Sequence, residues 1–341
     1  MTSHMKSRLI DKLNRIRSHS STREFILADA RDADMAWGVP CTGKAHPAAD
    51  SAPYRTMPEF HEQIRAVARQ GIVDIMLASI STMSLLAHRE RLFDSLDVTP
   101  AVRINDATDV WCPRGGRYRS YPSVPFASGF IEEAQHGSLV AKPGEPVVNL
   151  GLYSVTLNNQ LPEDHDSLTA FKAFRAEAER RQFNYFLEVF APNTDAGLRP
   201  EEIPGFVNDS VCRMLAGVPL SARPVFLKIP YFGPRALEEL VAYDPSVIVG
   251  VLGGSSGTTY DAFKLLADAQ KYGARVALFG RKIKAAEDPL LFITYLREIL
   301  NGAVSPEEAV RAYHGGLQAK KISPVRSITE DLETADATLN Y

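Results

Sequence analysis

Cysteine is scarce in this chain of 341 residues: Cys41, Cys112 and Cys212 are the whole complement, far apart in sequence. No C-x-x-C pair and no even-numbered framework is present. A disulfide-stapled secreted domain is therefore not indicated, and a reducing, cytoplasmic setting is expected. Histidine is also unpromising. The eight histidines form no H-x-H or H-E-x-x-H pattern, and none falls at an expected strand end, so no metal site is expected. No apolar run reaches the length of a membrane span. Neither sign of charge dominates: 38 basic residues face 41 acidic ones, a net charge of −3. No basic cluster is long enough to follow a phosphate backbone, which argues against a nucleic-acid partner. No G-x-G-x-x-G follows the first expected strand, which argues against a dinucleotide-binding half. These absences leave an expectation of a small-molecule protein with no cofactor, no metal, no nucleic acid and no membrane partner.

What is present is a regular alternation. Short apolar runs, read as strands, fall at 24–32, 72–79, 99–105, 147–157, 185–190, 225–229, 247–252 and 275–280. Helical periodicity separates them, for example at 57–70, 82–95, 166–181, 203–216 and 260–272. Strands that are apolar almost throughout are covered on both faces, as parallel ones are. Eight of them favour a single (β/α)8 TIM barrel over an open sheet. Residues 1–23 read as an N-terminal extension, with a basic, polar stretch from Lys6 to Ser21 that suits a short surface helix. Residues 24–320 read as the barrel, and 321–341 as a tail that is extended over the surface or disordered. Two irregular stretches remain unassigned: a loop from Gly38 to Pro58, and an insertion after strand three, Asp106 to Pro146. The insertion carries Arg114, Arg117 and Arg119, which suit solvated or subunit-contact positions better than an anion site.

One stretch draws chemistry into this frame: Arg223-Pro-Val-Phe-Leu-Lys-Ile-Pro-Tyr-Phe-Gly233. Lys228 sits within an apolar strand. A solvated lysine is an ammonium at neutral pH and a poor nucleophile. Held among apolar neighbours, it loses hydration and the free amine becomes available, as a Schiff-base lysine requires. The plainer alternative is a lysine that snorkels from the strand end to water.

Barrels carry their chemistry at the C-terminal ends of the strands. Those ends offer Asp29, Arg31 and Asp32 on strand one, Arg103 and Asn105 on strand three, and Glu188 on strand five. Strand six offers Lys228 and Tyr231, strand seven Gly253, Gly254 and Ser255, and strand eight Gly280 and Arg281. The Gly253–Gly257 turn exposes backbone amides ahead of a helix, and Gly280-Arg281 adds a guanidinium. Together they suit a phosphate or another tetrahedral anion on the two strands where barrels usually hold one. Tight corners between strand and helix are the structural alternative.

Four segments carry a family resemblance. They are Phe226-Leu-Lys-Ile-Pro-Tyr-Phe-Gly233, Val251-Leu-Gly-Gly254, Gly280-Arg-Lys-Ile283 with Asp288-Pro289, and Val102-Arg-Ile-Asn-Asp-Ala-Thr108. In these the chain resembles the class I (Schiff-base) aldolases of the archaeal-type fructose-bisphosphate aldolase and deoxyribose-phosphate aldolase-like group. The resemblance implies that Lys228 forms an imine with a phosphorylated or otherwise anionic keto sugar, and that a C–C bond is then cleaved or formed. It implies Asp29 as the proton-handling aspartate of strand one, and Gly253, Gly254, Gly280 and Arg281 as holders of the substrate phosphate. It also implies a homo-oligomer. Phe190 stands where the family usually has tyrosine, Arg103 where lysine is common and Lys282 where asparagine is usual. Without a hydroxyl at 190, Glu188 or Tyr231 becomes the second acid/base, Glu188 having the alternative of a structural ion pair. Transaldol or acyl transfer, isomerisation and decarboxylation use the same iminium. A non-catalytic sugar-phosphate-binding barrel would keep the glycine turns and not need Lys228.

Overall fold

Eight parallel strands close on themselves in a computed structural model that describes residues 5–18, 22–45, 51–140, 144–254 and 257–339. The strands are β1 (Ile26–Arg31), β2 (Ile75–Ala78), β3 (Thr99–Arg103), β4 (Leu150–Thr156), β5 (Asn184–Phe190), β6 (Leu227–Ile229), β7 (Val249–Leu252) and β8 (Val276–Phe279). Each pairs with its neighbours in sequence, and β8 pairs with β1, so this is a single (β/α)8 barrel. The strands are mostly apolar because both faces are buried. Ile26, Ala28, Leu150, Leu152, Phe186, Phe226, Val276 and Leu278 fill the barrel. Leu27, Leu187, Leu227, Ile229 and Ala277, one residue out of phase, pack under the helices.

Several expected elements are revised. The stretch before β1 forms helix α1 (Ser7–Ser18), which is no surface helix. Leu9 and Leu13 are fully buried, and with Met5 and Ile16 they join the cluster inside the barrel, stoppering its N-terminal end. Its cations explain the basic reading. Arg8 and Lys12, with Arg297, surround the buried carboxylate of Asp74, which also accepts the backbone N–H of Leu27 at 2.9 Å. Leu13→Ala is expected to cost about 2–5 kcal/mol of unfolding free energy in urea, because the stopper cannot collapse into the gap. A loss below about 1 kcal/mol would mean that α1 is packed loosely.

After β2 the helix is short (Ile80–Met83) and widens into a π-type stretch at Ser84–Arg89, instead of running to residue 95. The insertion after β3 forms a small antiparallel ribbon, Asp106–Ala107 against Pro125–Phe126. The tail is ordered where it is described: Ile328–Asp331 is helical and Leu339 is buried in the main core. The cause is capping. Asp331 accepts the Thr259 N–H at 2.7 Å, and Asp261 accepts those of Thr258 at 2.8 Å and Ala335 at 3.1 Å, so tail and helix start (Thr259–Lys271) satisfy each other.

Candidate active site

Parallel register places residues of neighbouring strands side by side, about 4.8 Å apart, on one face. In this barrel Ser154 of β4 lies opposite Glu188 of β5, and Glu188 opposite Lys228 of β6. All three follow the inward phase set by Leu152, Phe186 and Phe226. The next position in the row is Gly250 of β7, which puts no side chain beside the lysine. A Cβ there would stand 2.6 Å from the Leu227 carbonyl oxygen.

The row is wired together. Lys228 Nζ lies 2.5 Å from Glu188 Oε1. Glu188 Oε2 accepts from Ser154 Oγ at 2.6 Å and from Arg103 Nη2 at 3.2 Å. Arg103 also donates to Ser154 Oγ at 2.6 Å and, through Nε, to Asp32 Oδ2 at 2.6 Å. Two cations and two carboxylates therefore neutralise one another in a nearly buried chain. Burial alone would lower the Arg103 pKa, but Asp32 and Glu188 lift it above its ordinary value. Burial alone would raise that of Asp32, but the charges of Arg103 and Lys228 hold it below the usual carboxylate range.

A depressed native pKa means that Asp32 stabilises the fold fully above the unfolded carboxyl value, near pH ~4, and that this is lost as pH falls through the native value. Asp32→Asn should therefore flatten the decline of unfolding free energy between about pH 5 and pH 2. Equal slopes for the two chains in urea titrations would refute it.

Above the row opens a cavity of about 430 Å³. Its floor is Asp32, Arg103, Glu188 and Lys228, and Phe190 lines one wall. Gly253, Gly254, Gly280 and Arg281 line the side formed by β7 and β8. The insertion adds Asp109, Cys112 and Arg119, and the loop after β1 adds Met35 and Trp37. Asp109 is held by hydroxyls, from Ser123 at 2.8 Å and Thr156 at 2.7 Å. The rim is electropositive. Burial, then the neighbouring charge of Arg119, lowers the Arg281 pKa, and burial lowers that of Lys284. No carboxylate pairs with Arg119 or Arg281 among the described residues. Among those residues no three His, Cys, Asp or Glu side chains converge to hold a metal ion.

The candidates named from sequence divide accordingly. Lys228, Glu188, Arg103, Gly253, Gly254, Gly280 and Arg281 come together at the cavity. Ser255 lies outside the described residues. Three others are corrected. Asp29 is one residue out of phase: it is fully buried under the helices, with both carboxylate oxygens on Arg31 Nε (2.9 and 2.8 Å). Arg31 in turn reaches Gln63 and lies over the Phe60 ring of the helix Met57–Gln70. The aspartate at this strand end that faces the cavity is Asp32, the residue after β1. Tyr231 has the same fault, its ring belonging to the core cluster outside the barrel. Asn105 is buried but does not line the cavity; it brackets Ser154, accepting its N–H at 2.7 Å and donating to its carbonyl at 2.9 Å. The lysine's surroundings also differ from the apolar cage expected, since a carboxylate is its nearest partner. Ser154 and Arg119 were missed as site residues. Ser154 was legible as the next inward position after Leu150 and Leu152; Arg119 had no sequence signal to separate it from Arg114 and Arg117.

No protein-family profile matches the chain, and no curated protein matches it in sequence. Solved structures match it in three dimensions. An archaeal fructose 1,6-bisphosphate aldolase superposes with a TM-score of 0.59 at 20% identity, covering 86% of this chain and 99% of that one. The barrel fold is shared. A fructose-bisphosphate aldolase of Slackia heliotrinireducens DSM 20476 gives 0.62 at 16% identity, over 92% of this chain and 93% of that one. A Corynebacterium glutamicum protein gives 0.57 at 16%, over 88% and 99%. An archaeal fructose-1,6-bisphosphate aldolase has been solved with its catalytic lysine covalently bound to the carbinolamine intermediate of its substrate. At these identities the likeness is one of fold, and the chemistry of this chain rests on its own side chains.

Proposed function

We propose that this barrel is a class I aldolase, in which Lys228 forms an imine with an anionic keto sugar and a C–C bond is cleaved or formed. The observation that carries the reading is an amine at the floor of an open cavity, 2.5 Å from a carboxylate able to take its proton. Glu188 accepts a proton from the Lys228 ammonium, and the freed amine attacks the substrate ketone. A proton shift from nitrogen to oxygen gives the neutral carbinolamine. Protonated Glu188 returns its proton to the carbinolamine hydroxyl, which leaves as water, and the iminium remains. Glu188, again a carboxylate, removes the proton from the hydroxyl on the carbon beyond the bond to be cut. The C–C bond breaks, its electrons pass into the iminium, and an aldehyde and an enamine form.

Phe190 has no hydroxyl, so one carboxylate serves each transfer in this scheme. Arg103 and Ser154 hold its second oxygen and leave Oε1 to the amine. Arg281 and Arg119, with the backbone at Gly253, Gly254 and Gly280, supply the positive rim for the substrate's phosphate or equivalent anion. The test is borohydride reduction in the presence of a panel of keto-sugar phosphates, followed by peptide mass analysis. The expected result is added mass on the peptide holding Lys228. No adduct with any carbonyl compound would favour a barrel that binds sugar phosphates without turning them over.

A further inference from the structure

A second cavity, of about 400 Å³, opens at the other end of the barrel, beside the start of β5 and the turn leading into β6. Three guanidinium groups line it, from three separate elements. Arg17 comes from the end of α1, Arg175 from the helix Leu161–Arg180, and Arg223 from the turn before β6. Among the described residues that line the cavity, the one carboxylate is that of the exposed Glu179. Arg223 is partly satisfied, because Nη1 meets Asp244 at 2.6 Å. Arg17, exposed at the cavity mouth, donates to the Val225 carbonyl at 3.1 Å. Arg175 forms no ion pair among the described residues, and its plane lies over the Phe171 ring at 5.4 Å.

Two buried donors are left over. The Nε groups of Arg175 and Arg223 are both shielded from solvent and have no hydrogen-bond partner among the described residues. A shielded N–H on a cation is costly unless an acceptor arrives. Partial desolvation also lowers the Arg17 pKa. The walls include the aromatic side chains of Phe183 and Tyr185, so the cavity joins an apolar lining to an unbalanced positive charge.

We propose that this cavity is a binding site for a small phosphate ester, separate from the cavity over Lys228. The guanidinium forks of Arg175 and Arg17 hold the phosphate and the aromatic walls take the carbon skeleton. The site adjoins the strands that bear the ion pair, since Tyr185 and Val225 each stand three residues before Glu188 and Lys228. It also bridges α1 to the barrel through Arg17.

Calorimetric titration of the full chain with glycerol 3-phosphate tests this, because that ester has no carbonyl and cannot form an imine. Arg281→Ala removes one of the two arginines at the rim of the upper cavity. This variant is expected still to bind one equivalent, and adding Arg175→Gln or Arg17→Gln should weaken that binding at least tenfold. Glycerol itself should not bind. The proposal fails if the Arg281→Ala chain binds no glycerol 3-phosphate, or if its affinity is unchanged by both lower-cavity substitutions. If Arg175→Gln does not fold, Arg17→Gln carries the comparison alone, since it leaves the Phe171 contact intact. Neither outcome bears on the imine, which the borohydride test reads separately.

Discussion

Lys228→Met is expected to abolish borohydride trapping and to lower turnover roughly 10³-fold or more, about 4 kcal/mol of transition-state stabilisation. Methionine is unbranched and close in length, so the barrel floor stays filled. Glu188 is not stranded by the change, because Ser154 at 2.6 Å and Arg103 at 3.2 Å still hold its other oxygen. The variant should therefore keep its fold, at a stability cost of up to the ~3–5 kcal/mol expected when one partner of a buried ion pair is removed, and a single cooperative unfolding transition separates lost chemistry from lost structure. Lys228→Arg sharpens the test. A guanidinium can pair with Glu188 yet does not give up its proton near neutrality, so it cannot attack a ketone. Both variants should be equally inactive. An arginine chain that retained turnover would show that position 228 supplies charge and not a nucleophile.

Glu188→Gln has the second large expected effect, and it acts on rate and stability together. Glutamine keeps the shape but cannot take the lysine's proton, so trapping should slow by about 10²–10⁴-fold. The network would also carry Arg103 and Lys228 against Asp32 alone. Removing one partner of a buried ion pair costs about 3–5 kcal/mol, and urea denaturation should show a loss of that order. A Glu188→Gln chain that is destabilised but traps at the parental rate would assign Glu188 to holding the barrel together and remove it from the proton relay.

How far the site was legible turns on strand phase. Alternation along a strand says that 186, 188 and 190 share a face, and Phe186, Glu188 and Phe190 do all turn inward. It does not say which face is inside when both are apolar. On β1, Ile26, Leu27 and Ala28 are all fully buried, yet Ile26 and Ala28 point into the barrel and Leu27 under the helices. Two aspartates near the same strand end were therefore equally eligible, and Asp32 is the one that faces the cavity. Tyr231 failed in the same way on β6. The helix before β1 was misjudged because its four cations match its four apolar residues in number, while the i, i+4 pair Leu9 and Leu13 carried the information that mattered.

From sequence alone came the count of eight alternating units, the parallel closed sheet, the glycine turns after β7 and β8, and the lysine on β6. These are local properties: period, punctuation and the oddity of a charge in an apolar run. Only the folded chain decided which side chains meet. The row Ser154–Glu188–Lys228 is set by register between strands more than thirty residues apart, Arg103 joins it from the adjacent strand β3, and Asp32 from the end of β1. Arg119 reaches the rim because its insertion folds over the mouth, held through Asp109 to Thr156. Register and closure are relations between segments distant in sequence, so no window along the chain contains them.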